Sequence, residues 1–197
     1  MEYDAFDEGI EPGGLRNTRE IGILICFILE NAGIPFALND LIEIIQSKGM
    51  ANYFETMSSV SELIKNDNII LHEDSEKVLE ITENGKMIAG QLHEELPITI
   101  RQKAVSAVCR LQQRKKSQSE NPVTISEAEN GGYNVTLKIN DKIRDLMTLT
   151  VFVPDKKEAD NVRDCFYDDP ERLYSVVLAA VIGDKKLISN VLKELKK

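Results

Sequence analysis

The residue types that most often carry catalysis or metal binding are sparse in this chain of 197 residues. Its two histidines, His72 and His93, fall in different predicted elements, and neither has a cysteine or carboxylate at ligand spacing. The three cysteines, Cys26, Cys109 and Cys165, are far apart and form no C-x-x-C pair. An odd count without pairing argues against a disulfide framework and predicts free, mostly buried thiols in a reducing compartment. Asp168 and Asp169 read as a helix start rather than as an acid–base pair. Gly131 and Gly132 read as a hairpin tip rather than a phosphate cradle. No catalytic site, cofactor or metal is expected, and the chain reads as non-enzymatic.

A different chemistry is available between residues 52 and 65. Asn52, Thr56, Ser58 and Ser59 are small hydrogen-bonding residues at helical spacing, and Lys65 closes the segment. Such side chains touch base edges and phosphates when their helix enters a groove of DNA. Arg16 and Arg19 flank the predicted start of the first helix and could meet the backbone, or could be surface charge beside a helix cap. Tyr53 and Phe54 read as core in preference to a base-stacking platform.

The elements that would position these residues can be read in order. Residues 1–14 form an acidic arm ending in Pro12, Gly13 and Gly14. Asn17 and Glu20 make a capping box for a helix that is apolar nearly all round to about Asn31, and so central to a domain. A short helix with Asn39 as its cap follows and ends at Gly49. A second helix over 52–66 directs Tyr53, Met57, Val60 and Ile64 inward and Asn52, Glu55, Thr56, Ser59 and Glu62 outward. Residues 69–72 and 78–81 are strands around the polar tip 73–77, and Thr82 caps a third helix. Helix, helix, hairpin, helix is the order of a winged helix-turn-helix domain, placed at 15–96.

Residues 97–118 form a linking helix with Ala104, Val105, Val108 and Leu111 as its apolar stripe. Its polar side carries Arg101, Lys103, Arg110, Arg114, Lys115 and Lys116. Residues 117–122 read as a linker. The period then changes from 3.6 to 2, giving three strands, at 123–126, 133–139 and 146–153, in an antiparallel meander with a hairpin turn at 130–132. Helices cover the sheet: one with Ala159, Val162 and Phe166 inward, and one started by Asp169 and Pro170 with Leu173, Val176, Val177, Ala180 and Val181 inward. A final helix carries Leu187, Ile188, Val191, Leu192 and Leu195. The fold class is therefore α+β, with a C-terminal domain at 122–197.

Several words along the chain carry a family resemblance. They are Asp4-Ala5-Phe6, Gly9-Ile10-Glu11-Pro12-Gly13-Gly14-Leu15-Arg16, Ala51-Asn52-Tyr53-Phe54-Glu55 and Asp168-Asp169-Pro170-Glu171-Arg172-Leu173-Tyr174. With them the chain resembles a group of small bacterial winged-helix, regulator-like proteins of unknown function. Ile81-Thr82-Glu83-Asn84-Gly85 is similar to the leucine-threonine-x-x-glycine motif that leaves the wing in PadR- and MarR-like regulators, with Ile in place of Leu. Such regulators usually have Gly where Asn68 stands, which implies a left-handed backbone there. The resemblance implies a fold and no activity.

Charge bears on what this fold could bind. Residues 1–97 hold 19 acidic and 6 basic residues, residues 98–120 hold 1 and 6, and the whole chain is at −9. Phosphate contacts need Lys and Arg. The helix over 52–66 has only Lys65, and the tip 73–77 is acidic. The first expectation is a cytoplasmic transcriptional regulator that binds DNA as a homodimer, its C-terminal domain sensing or dimerising. The alternative is a protein-interaction module that binds no DNA. Arg110, Arg114 and Lys115 could contact phosphate, offset the acidic domain, or simply be solvated. The stripe on the final helix packs on its neighbour or forms the dimer contact. A membrane span is not expected, because no apolar run approaches the roughly 18–20 residues required.

Overall fold

The computed structural model describes residues 14–73, 76–141, 144–186 and 189. Among them are seven α-helices and two three-stranded antiparallel sheets, a mixed α+β architecture. The chain divides into two compact units, residues 1–110 and 111–197. Residues 1–13 of the arm read at 1–14, the tip residues Asp74 and Ser75, and the apolar stripe Leu187, Ile188, Val191, Leu192 and Leu195 lie outside the described residues.

The first unit is built around α1 (Thr18–Ala32), in which every residue from Ile21 to Cys26 is buried. Asn17 caps it through the Arg19 N–H, and Gly33 closes it in a left-handed turn at φ 65°. β1 (Phe36–Ala37) follows, a strand of two residues that is too short for any alternation to reveal. It leads directly into α2 (Leu38–Ser47). The cap position of α2 is therefore Ala37, which makes no side-chain cap bond, and not Asn39, which sits inside the first turn.

α3 (Tyr53–Lys65) is capped by Asn52, whose Oδ1 accepts the Glu55 N–H at 2.8 Å. Its buried residues are Thr56, Ser59, Val60 and Leu63. The helix is thus turned relative to the hydropathy reading: Tyr53 is exposed, and Met57 and Ile64 are only half-buried. The left-handed residue after α3 is Asp67, at φ 54°, rather than Asn68. The Asp67 and Asn68 N–H groups return to the Ile64 and Leu63 carbonyls, closing the helix in a Schellman arrangement.

β2 (Ile69–Glu73) and β3 (Lys77–Ile81) pair antiparallel, with Leu71 opposite Leu79. β1 adds to the far side of β3, so the strand order is β1-β3-β2. Thr82 caps α4 (Glu83–Leu92), accepting the Gly85 N–H at 3.2 Å. A 3-10 turn (His93–Glu95) leads to α5 (Ile98–Glu120). α5 continues through residues 117–120, so the stretch read as linker is helical. Its Ser and Gln residues tolerate a helix that has already been nucleated upstream.

In the second unit β4 (Val123–Glu127), β5 (Tyr133–Asn140) and β6 (Asp145–Val153) form a meander with Leu137 opposite both Val123 and Leu149. Gly131 and Gly132 both have positive φ, which the 128–132 turn requires. One sheet face carries Val135, Leu137 and Ile139 into a core with Ala159 and Phe166 of α6 (Lys156–Asp168). α7 (Pro170–Ile182) starts on the Asp169 cap with Pro170 in its first turn. It buries only Ala179; Leu173, Val176 and Val177 are half-buried, while Ala180 and Val181, read as inward, are exposed.

Candidate functional site

The surface with the most unspent chemistry is the outer side of α3. On its inner side one small hydroxyl bonds back to the helix's own cap and another reaches α1. Thr56 donates to the Asn52 carbonyl at 2.7 Å, and Ser59 donates to the Thr18 carbonyl at 3.2 Å. Asn52, Thr56 and Ser59 are all buried. These three predicted contacts therefore do not face outward: their polar atoms are spent on the cap and on the helix–helix contact. Ser58 and Lys65 are exposed, as are Ser61 and Glu62. Tyr53 and Phe54, read as core, are 43% and 78% exposed, with their rings edge-on at 5.6 Å.

Cations gather at the beginning of α3, from parts of the chain distant in sequence. The Leu15 N–H donates to the Met50 carbonyl at 2.7 Å, and the Thr18 hydroxyl donates to Glu55 at 3.3 Å. Residues 15–18 thus run beside the start of α3, which brings the exposed Arg16 there. From α5, Lys103 reaches the Lys48 carbonyl at 3.2 Å, placing Lys103 beside Lys48 in the turn that precedes the helix. The N-terminus of a helix is electropositive. Arg16 adds to that charge, while Glu55 in the first turn of α3 offsets it. Lys103 instead meets the C-terminal end of α2, whose cap is Lys48 and whose dipole favours a cation. Lys103 belongs to the basic side read for residues 101–116, whereas Lys48 carries no signal in the sequence, and their approach depends on how α5 packs.

Arg19 is exposed but engaged, its guanidinium 3.0 Å from Glu95. It borders a groove of about 480 Å³ between α1, α3 and α4, with Glu62, Leu63, Asn66, Ile88 and Leu92 among the other walls. Of the α5 cations, Arg114 pairs with Asp164 of α6 at 2.9 Å, while Arg110 and Lys115 are exposed.

The thiols divide in a way the sequence did not signal. Cys26 is buried, and burial pushes its pKa up to about 12, so it is a poor nucleophile at neutral pH. Cys109 and Cys165 are exposed, contrary to the expectation of mostly buried cysteines. His72 lies 2.8 Å from Glu80, and the His93 ring bonds to the Ala89 carbonyl. Among the described residues no group of three or more His, Cys, Asp or Glu gathers where a metal ion could be held. Among them, too, no helix is long and apolar enough to cross a membrane.

The class these elements define is a two-unit α+β chain with two three-stranded antiparallel sheets. Residues 21–181 match the family model described as a domain of unknown function, DUF4364, and the chain belongs to that family. No curated protein and no solved structure gives a significant match.

Proposed function

We propose that residues 15–96 form a winged helix-turn-helix and that this chain is a non-enzymatic, DNA-binding transcriptional regulator of the cytoplasm. α3 would be its recognition helix, and the working form a dimer. The observation that carries the reading is the solvent-facing side of α3, with Arg16 beside its electropositive start and Lys48 and Lys103 at the turn that leads into it from α2. That arrangement suits phosphate at the helix start and base edges along the helix. The strand order β1-β3-β2, with α2 and α3 between the first and second strands, supports the winged-helix part. Phe54 and Tyr53 suit thymine methyl groups, Ser58 and Ser61 suit either partner type, and Lys65 suits backbone or guanine. Arg19 would have to leave Glu95 to contribute, and Arg114 would have to leave Asp164.

The test is an anisotropy titration with genomic fragments at low and moderate salt. Binding is expected at about 50 mM salt and should weaken steeply as salt rises. Reversing Lys48 and Lys103 to Glu should weaken binding on all sequences and flatten the salt slope by about 2. Phe54→Ala should instead change which sequence is preferred. Absence of binding at the lowest salt sinks the reading.

A second reading rests on Phe54, a large apolar side chain standing in solvent on a half of the molecule with 19 acidic residues. In that reading α3 docks a basic protein partner. It predicts that no DNA is bound and that Phe54→Ala abolishes binding of the protein partner.

A further inference from the structure

Edge strands present unpaired N–H and C=O groups, and proteins usually blunt them by shortness, charge or proline. Among the described residues three edges follow that rule. β1 has two residues, β2 ends on His72 and Glu73, and β4 lies between Pro122 and a terminal Glu127. β6 does not. It is nine residues long at the end of the order β4-β5-β6, and residues 146–153 contain neither charge nor proline. An irregularity beside Asn140 interrupts the ladder near Leu146, leaving 147–153 as the regular stretch.

This stretch is complementary to itself. Met147, Leu149, Val151 and Val153 face the core side of the sheet, while Thr148, Thr150 and Phe152 are exposed on the other side, Phe152 at 62%. In an antiparallel pair about a two-fold axis, residues equidistant from the centre meet. The centre of 147–153 is Thr150. Met147 then lies opposite the partner's Val153 and Leu149 opposite the partner's Val151, apolar against apolar on the covered face. On the open face Thr148 lies opposite the partner's Phe152, and Thr150 opposite the partner's Thr150. Within 147–153 no charge opposes another, and every residue of the stretch keeps its face.

We propose that two copies of this chain pair antiparallel through β6 with Thr150 on the two-fold axis, joining their three-stranded sheets into one of six strands. The pairing stands whether or not α3 meets DNA. The experiment is the solution mass of the full chain by light scattering or sedimentation, up to about 100 μM. A dimer is expected. Thr150→Lys sets two ammonium groups opposite each other across the axis and should weaken dimerisation at least about tenfold at low salt. Thr124→Lys, on the same face but at the β4 edge, should leave the mass unchanged. In a Cys109→Ser, Cys165→Ser background, Thr150→Cys should crosslink two chains on mild oxidation. A monomer at the highest concentration overturns the proposal, as does a dimer that resists Thr150→Lys with its circular dichroism unchanged. Should Thr150→Lys fail to fold, the crosslink decides: its formation supports the pairing and its absence overturns it.

Discussion

Gly85 is confined by its neighbours rather than by its backbone angles. A Cβ there would run into the Asn68 carbonyl oxygen and the Ile81 side chain. Thr82 secures the same place: its hydroxyl lies 2.8 and 2.9 Å from the Asp67 and Asn68 carbonyls and accepts the Gly85 N–H. The Thr82–Gly85 spacing is thus a latch between the end of the hairpin and the turn after α3. Gly85→Ala is expected to cost about 1–3 kcal/mol in urea unfolding, because backbone must shift. Gly90, in the same helix with open space around it, is the control. Gly90→Ala should be neutral or stabilise by up to about 1 kcal/mol. The motif is legible in the sequence, but its cause is not, since Asn68 approaches Gly85 only in three dimensions.

α3 shows where hydropathy misleads at the level of an element. The spacing of Tyr53, Met57, Val60 and Ile64 selects one face, and the folded helix buries Thr56, Ser59, Val60 and Leu63 instead. A serine or threonine whose hydroxyl bonds to a nearby carbonyl carries little polarity into a core, and its small size lets two helices approach closely. Ser59→Leu should therefore destabilise by about 1–3 kcal/mol through overpacking against α1, while Ser58→Leu, one position away, should stay within about 0.5 kcal/mol. Equal effects in thermal unfolding would return Ser59 to the surface. Elsewhere the strong periodic signals are legible: the apolar α1, the alternation of β5, and the caps Asn17, Thr82 and Asp169. β1 escapes a sequence reading for want of length. The end of α5 does so because Ser and Gln look like linker residues when packing is not in view.

On the scale of the whole molecule, the site residues divide between what charge counting finds and what only folding brings together. Counting finds an acidic N-terminal half and a basic helix. It cannot find that Lys103 of that helix reaches the Lys48 carbonyl at the end of α2. Thiol chemistry gives a test on the same scale. Cys109 and Cys165 should react rapidly with a thiol reagent at about pH 8, and Cys26 only when the first unit opens. Alkali should also weaken that unit. The Cys26 thiol stays protonated up to about 12 in the fold but ionises near 9.0 once unfolded. The unfolded chain thus gives up a proton that the fold keeps, so stability falls as pH rises from 9 towards 12, by at most about 1.4 kcal/mol per unit.

The sealed sulfur has a use beyond its own chemistry. Cys26 is buried in α1, the helix whose Thr18 carbonyl accepts the Ser59 hydroxyl of α3, so the rate at which it is modified records how often the first unit opens. A ligand that grips α3 only while the unit is closed slows the modification by a factor of one plus the ratio of its free concentration to Kd. The chain thus carries a clock of its own, wound into α1, that runs slow when the outer face of α3 is occupied and needs no foreign label to be read.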